Sequence, residues 1–509
     1  MSDESKTAAE AEQKKDAPAA QTKDAPAAQT KAAAAPAKEG KPLSRALKMF
    51  YGVGDCGFTL MTNVETYYFN FFLTNLAQFS TGVATTIATV MSFVDAALSW
   101  IYGAILNSIK PKKWGRYRSW LVLAPWIVPF LYAFQFIKIG DNMMLSAVLV
   151  TAAAIVSHVA WNLPYVANVS MIAVAGKTPE DRAQLASTRA AWANFSKIIF
   201  SFIAPPLATV FAGIVGETNQ YGAVAFVLGC VMAVLYFSHF KMFDGYEEMP
   251  TEEELEAMKK AKAEADKNRT SGLDLVKALF TNPPLLILML ADLSKWAFNF
   301  VCGGIAIYYF TYVAQDAGML ATYILITNVA CVIGSYVAKN ISNVLSTRMT
   351  TILTFVFMAV VLFAARFMFS NMWVVIVLCA LAQFGYGIAY ACTPALYADT
   401  IVYSEWKTGK NATGWISGLQ NVPLKIGVLL RGIVIGAVLG AAGFSADIDP
   451  SAATLALQEG ICNGFMTIPA ILLLVSAALL FFGFRITKDK VEQYQREIDA
   501  RNASANDVA

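Results

Sequence analysis

Twelve long apolar stretches, separated by loops that are alternately bare and basic, leave this chain one kind of solution: a bundle of helices crossing a membrane. A helix needs about 20 apolar residues to cross about 30 Å of hydrocarbon. Backbone in lipid must satisfy its own hydrogen bonds, and a helix does so within one segment. The stretches fall near 50–74, 82–108, 119–138, 143–174, 185–213, 221–241, 284–313, 319–342, 351–370, 372–398, 413–443 and 461–484. Only 15% of the residues are charged, against about 25% in soluble domains. The net charge of +3 gives no basis for a nucleic-acid partner. The seven cysteines show no CxxC pair or metal spacing and read as small buried hydrophobes.

The loops predict orientation. Lys110, Lys112, Lys113, Arg116 and Arg118 follow span 2, Lys177 and Arg182 follow span 4, Arg348 follows span 8, and Lys407 and Lys410 follow span 10. The opposite loops 75–81, 214–220 and 444–460 carry no Lys or Arg. The positive-inside bias then puts the basic loops and both termini in the cytoplasm of a cell whose inner membrane holds the chain. Residues 1–45 contain KDAPAAQT twice, at 15–22 and 23–30, then Ala/Pro/Lys-rich sequence. Such a segment has little apolar surface to bury and is expected to be a disordered cytoplasmic tail. The long hydrophilic stretch 242–283 separates a six-span bundle at 46–241 from another at 284–484, with a cytoplasmic tail at 485–509. Within that linker, Thr251 and Glu254 form a capping box opening a charged helix with Glu256–Lys260 support. Six plus six spans around such a linker resemble the major facilitator superfamily, an all-α fold whose two halves rock about a central site.

Charged side chains inside spans are costly and face a cavity or a partner. Here they are Asp55, Glu65, Asp95 and Asp292 against Arg189, Lys197, Lys295, Lys425 and Arg431. Four acids against five bases favours pairing within the bundle. Asp292 and Lys295, at i,i+3, are placed to pair with each other. Glu65 lies ten residues beyond Asp55, about 15 Å along a helix, so the two do not share one small site. Deep in its span, Glu65 is a candidate proton carrier. His158 and His239 read as satisfied structural histidines. The aromatic run Tyr67, Tyr68, Phe69, Phe71, Phe72 and the pair Trp161–Asn162 offer packing, or a face for a sugar ring. No HExxH, GxSxG or paired His/Cys set points to an enzyme.

Several motifs are similar to those of the glycoside–pentoside–hexuronide:cation symporters, the melibiose-carrier branch of that superfamily. They are YGVGDCGF at 51–58, FVDAALSWIYGAILN and KPKKWGRYRSW within 93–120, WNLPYVANV at 161–169, FTNPPLL at 280–286, and LYADTIVYSEWKTGKNATGWISGLQNVPLKIG at 396–427. The resemblance covers about residues 46–490, and the last block is its most specific part. It implies that Asp95 serves the coupling cation, with Asp55 a frequent span 1 acid of the wider family. It further implies that Arg189 lies near the sugar, that Lys425 is important for transport, and that Asp399 and Glu405 gate from a cytoplasmic loop. Arg116, in the basic loop, joins them as a gating residue.

The chain also departs from the family's pattern. Thr59 stands where melibiose carriers have a sugar-binding acid, Ser99 where they have a second span 2 acid, and Asn162 where they have a span 4 acid. A poorer carboxylate cluster suits H⁺ better than Na⁺, and no other cofactor is expected. Losing the span 1 acid while keeping Arg189, Lys197 and Lys425 tilts the site toward an anionic solute such as a hexuronide, with Trp161 and Thr59 beside it. The expectation is a secondary transporter that moves a glycoside, pentoside or hexuronide by alternating access, with a proton. A cation-independent facilitator, a lysophospholipid carrier and a transporter-like solute sensor stay open as alternatives.

Overall fold

The computed structural model describes residues 41–108, 113–140, 142–176, 178–247, 279–280, 282–409, 416 and 418–506. The repeat tail, the capping box at Thr251 and Glu254, and Lys110, Lys112, Lys177 and Lys410 lie outside them. Every regular element among the described residues is helical.

Ten of the described helices are long and apolar enough to cross a membrane. Several of them begin where a polar side chain caps the first turn. Asn142 accepts from Leu145 N–H before span 4 (Met143–Ala175), and Thr178 from Asp181 N–H before span 5 (Pro179–Val215). Asn282, Ser346 and Asn371 do the same before span 7 (Pro283–Tyr308), span 9 (Thr347–Phe367) and span 10 (Met372–Thr408). Span 2 is Thr81–Ser108, span 6 Gln220–Met242, span 8 Met319–Leu345 and span 11 Asn421–Ala441. Span 12 runs from Leu455 through a π turn at Asn463–Thr467 to Gly483.

The other two spans are helical but interrupted. Span 1 is Val53–Val64 continued by π turns at Glu65–Phe69 and Phe72–Leu76. Span 3, expected as one stretch over 119–138, is two pieces, Trp120–Leu123 and Val128–Phe134. Pro125 lies in the gap; it has no N–H to give and its ring clashes with the preceding turn. Asp399 and Glu405 were expected on a loop. They lie instead on the last turns of span 10, because nothing breaks that helix before Gly409, which ends it at φ +70°.

The two halves repeat one unit. Span 1 ends FLTNLAQ at 72–78 and span 7 ends YFTYVAQ at 309–315. Both ends close with a π turn. Both then place a glutamine, Gln78 and Gln315, at φ 55°. The matching bonds Ala77 N–H to Phe72 O and Ala314 N–H to Tyr309 O complete the likeness. These two ends meet. Thr74 Oγ1 lies 2.7 Å from Tyr308 OH, and Asn75 Nδ2 donates to Tyr312 OH at 2.5 Å. The bundle is therefore shut at its bare-loop end.

At the basic-loop end, the Glu247 carboxylate accepts from the backbone N–H groups of Arg116, Tyr117 and Arg118. Arg118 pairs with Asp244 at 2.7 Å and donates to Phe240 O. The loop between spans 2 and 3 is thus pinned to the end of span 6. The C-terminal helix Lys488–Asn506 folds back on span 10: Tyr494 stacks on Trp406 with centroids 4.4 Å apart, and Arg501 donates to Glu405 O.

Small residues let the spans approach closely. A Cβ on Gly334 would strike the Phe384 carbonyl, and one on Gly387 the Cys331 carbonyl. Spans 8 and 10 therefore touch backbone to backbone, tied by Ser335 Oγ to Gly387 O at 3.1 Å. Gly387→Val is expected to cost about 1–3 kcal/mol by overpacking. Gly82→Ala, where nothing lies within 4 Å, should cost nothing. Thermal unfolding of the purified carrier, compared for the two variants, checks this.

Candidate functional site

Interruption of the helices and burial of charge coincide at the centre of the bundle. The π turn of span 1 opens on Glu65, whose side chain is about nine-tenths or more buried. A π turn inside a helix commonly marks a functional position. Glu65 Oε1 pairs with Arg431 Nη2 of span 11 at 2.8 Å, and Oε2 lies 2.7 Å from His158 Nε2 of span 4. The other nitrogen of that ring, Nδ1, stands 3.4 Å from Asp95 Oδ1 of span 2. Asp95 is further held by Asn162 Nδ2 at 3.1 Å and by Lys425 Nζ at 2.7 Å. One connected chain of groups thus runs Arg431, Glu65, His158, Asp95, Lys425. Its two ends come from the C-terminal half and its three middle members from the N-terminal half.

A second pair lies toward the basic-loop end. Arg189 Nε meets Asp55 Oδ1 at 2.6 Å, and Arg189 Nη2 donates to Tyr165 OH at 2.5 Å. Asn168 donates to Asp55 Oδ2 and accepts from His239, whose other nitrogen takes the Gly54 N–H. His239 is therefore a satisfied structural residue, as its sequence suggests. Asp292 and Lys295 pair with each other at 2.5 Å, as their spacing predicts, with Thr393 and Tyr397 completing their shells.

Each of the four acids now has its base. Lys197 is the base left over. It is half-buried in span 5 and makes no ion pair among the described residues. Its backbone carbonyl accepts from Asn328 of span 8, so it stands at the junction of the halves.

Aromatic groups flank Arg189 and Lys295. Phe58 stacks on Tyr165 at 3.9 Å and on Trp161 at 5.0 Å. Trp161 itself is 2% exposed, so it backs the stack, and Phe58 and Tyr165 hold the accessible faces. From the other half come Trp296 and Tyr390, with Lys295 4.9 Å above the Trp296 ring. Arg189 and Lys425 are 25% and 29% exposed at their side chains, whereas Arg431 is 2% exposed. Access therefore falls from the basic-loop end inward.

The structure gathers Asp95, Asn162 and Lys425 into one contact group, and Asp55 with Arg189 into another. Ser99 lies beside Asp95, but its hydroxyl donates to the Asp95 carbonyl and not to the carboxylate. Thr59 is half-buried one turn past Asp55. Asp399, Glu405 and Arg116 are not in either group. Arg116 gives its backbone N–H to Glu247, and the ion pair of that loop belongs to Arg118. Sequence reasoning missed the pairing of Arg431 with Glu65 and the bridging place of His158. The near-balance of acids and bases was the available signal. Tyr165, within WNLPYVANV, was within reach of the same reasoning.

Removing one partner of a buried ion pair strands a charge. Arg431→Leu and Glu65→Leu are each expected to cost about 3–5 kcal/mol. The double variant should cost less than their sum, because it strands neither. A thermal-unfolding cycle of the three proteins reads the difference.

Comparison with known proteins agrees with this architecture. Residues 50–488 match the model of the MFS/sugar transport protein family. A putative sulfoquinovose importer of Escherichia coli (strain K12) is 26% identical over 461 residues, covering 89% of this chain and 93% of the relative. An isoprimeverose transporter of Lactiplantibacillus pentosus is 25% identical, covering 90% and 92%. A glucuronide carrier protein homolog of E. coli is 22% identical, covering 89% and 94%. Among solved structures, a D-xylose-proton symporter superposes with a TM-score of 0.62 at 13% identity, over 87% of this chain and 98% of that one, which shows a shared fold. The chain is a transporter and not an enzyme, and it belongs to the MFS/sugar transport protein family, in its glycoside–pentoside–hexuronide branch.

Proposed function

We propose that this secondary sugar transporter is a proton-coupled symporter of an anionic glycoside or sugar acid. It works by alternating access in an inner membrane, with both termini cytoplasmic. The observation that carries the reading is the arithmetic of the buried charges. Four acids take four bases, and Lys197 is left for the solute. Even a half-buried cation without a partner is disfavoured, and an anionic solute relieves that cost on binding. Relatives named for sulfoquinovose and glucuronide, both anionic sugars, support the same choice.

In this reading the conformation faces inward, with the Thr74–Tyr308 and Asn75–Tyr312 contacts closing the outer end. The sugar ring lies against Phe58 and Tyr165 on one side and Trp296 and Tyr390 on the other. Its acidic group meets Lys197 and competes for Lys425 and Arg189. A solute that draws Lys425 away leaves Asp95 without a cation. A proton restores the balance, so solute and proton bind cooperatively. Asp95 is the coupling carboxylate, and Asp55 plays the matching part for Arg189. Na⁺ is disfavoured because the Lys425 ammonium already occupies Asp95 Oδ2 at 2.7 Å. Thr59, Ser99 and Asn162 supply neutral oxygens where a carboxylate cage would need charge.

The test is external pH in de-energised, sodium-free cells expressing the chain, with neutral galactosides, pentosides, methyl glucuronide and sulfoquinovose added in turn. Alkalinisation on adding an acidic sugar supports the reading. No pH change with any of them would sink it and leave a facilitator, a lipid carrier or a sensor. One proton with one monoanion is electroneutral. In vesicles a pH gradient should therefore drive accumulation, and a membrane potential alone should not.

Two substitutions separate the roles. Lys197→Gln should raise the KM for the acidic solute about tenfold or more and change that for a neutral glycoside far less. Asp95→Asn should abolish accumulation against a gradient more than it reduces solute exchange. Persistence of uphill transport in Asp95→Asn would remove Asp95 from coupling.

A further inference from the structure

His158 joins the two carboxylates that tie the halves together, and both of those carboxylates belong to its own half. A neutral ring would carry one proton, and the 2.7 Å contact to Glu65 Oε2 assigns it to Nε2. In that tautomer Nδ1 faces Asp95 Oδ1 at 3.4 Å as acceptor against acceptor. That nitrogen has no hydrogen-bond partner, and the ring is about nine-tenths buried. Nothing else in its surroundings offers Nδ1 a proton. Asn162 spends its Nδ2 on Asp95 and on the His158 carbonyl. Trp161 turns an edge-on ring toward the imidazole at 5.0 Å. Tyr132, from span 3, gives its hydroxyl to Met61 O. Tyr102 of span 2 lies within electrostatic reach of Asp95, and the remaining charges are Arg431 and Lys425 of span 11.

Arg431 and Lys425 are close to Glu65 and Asp95 only while the halves are packed as here. Opening the bundle at its bare-loop end would draw span 11 away from spans 1 and 2. Two buried carboxylates are then left on the N-terminal half, with His158 between them.

Building on the proton-symport reading, we infer that His158 is the residue that carries the coupling proton, held between Glu65 and Asp95 when Arg431 and Lys425 withdraw, and released when they return. The proton comes from water at the open outer end and binds the Nδ1 lone pair. An Nδ1–H bond forms as an O–H bond of hydronium breaks, leaving water, and Nδ1 becomes the donor of an N–H···O bridge to Asp95. The imidazolium then supplies in one half the positive charge that span 11 supplied from the other. Closure of the outer end brings both cations back to the carboxylates, and the Nδ1 proton leaves to water on the basic-loop side. Glu65 is thereby a positioning residue, since it fixes the ring through Nε2. Coupling follows because a proton and the pair of span 11 cations compete to compensate the same two acids.

The chain has only two histidines, so the whole wild-type protein can be read directly. With ¹⁵N-labelled histidine in nanodisc-embedded carrier, the NMR spectrum should show one imidazole that gains a proton as pH falls and one, His239, that stays neutral. His158→Gln should remove the titrating signal and keep the other. A spectrum in which neither ring changes protonation across the pH range of transport overturns the inference without any variant.

Flux then separates the inference from the reading beneath it. In vesicles with methyl glucuronide, His158→Gln should lose at least about tenfold of the accumulation driven by a pH gradient, while exchange survives at a reduced rate. Accumulation by His158→Gln equal to wild type overturns the role of His158 and leaves proton symport standing. Wild type that moves no protons with solute overturns both.

Discussion

Two ion pairs, Glu65–Arg431 and Asp95–Lys425, cross from one half of the bundle to the other, and the positions of the other central groups follow from them. Buried pairs contribute little net stability, because desolvation offsets most of the attraction. What they fix is register. Span 11 reaches these acids only by lying close to span 2, and small residues permit it: Gly432 sits against Ala88 and Gly436 against Thr85. The interruption of span 1 serves the same geometry. Its π turn begins at Glu65, where the carboxylate must reach both His158 and Arg431.

The repeated ends of spans 1 and 7 show how the halves meet at the bare-loop end. Each ends in a π turn and a glutamine at φ 55°, a backbone conformation uncommon for residues other than glycine. The cost is accepted twice at equivalent places, so the turn is part of the repeat. Its effect is to bring Thr74 and Asn75 against Tyr308 and Tyr312. These are hydrogen bonds between neutral groups, which water replaces at little net cost. A seal of this kind opens without exposing a large apolar face.

The spans were legible because the bilayer imposes a length and a composition on each segment, and the sequence shows both. Span 3 was misread as continuous because Pro125 sits within an apolar run, where hydropathy does not register a missing N–H. Asp399 and Glu405 were assigned to a loop because polarity rises there, while the helix runs on to Gly409. At the site, the count of four acids and five bases was visible, and so was the local Asp292–Lys295 pair. The other partners were not, since Glu65 and Arg431 lie 366 positions apart. Pairing across halves is a property of packing, and no local pattern encodes it. For the same reason His158 read as structural. Its meaning rests on the two carboxylates that three different spans bring together.

Charge suits such an interface for a mechanical reason. A carrier must exchange two packings of similar free energy, so neither contact set can be strong in net terms. An apolar interface between the halves would add about 25 cal/mol for each Å² hidden and would hold one state shut. A buried pair behaves differently: its attraction is large, its desolvation is of similar size, and the balance shifts when one more charge arrives. In the proposed symport, an anionic solute at Lys425 or a proton beside Asp95 would supply such a charge. Each changes the balance in one conformation more than in the other, which is the condition for a ligand to move an equilibrium. The same balance explains why the central acids keep their bases while Lys197 has none. A site with every charge matched would have no preference for cargo, and a site with several unmatched cations would hold an anion too firmly to release it.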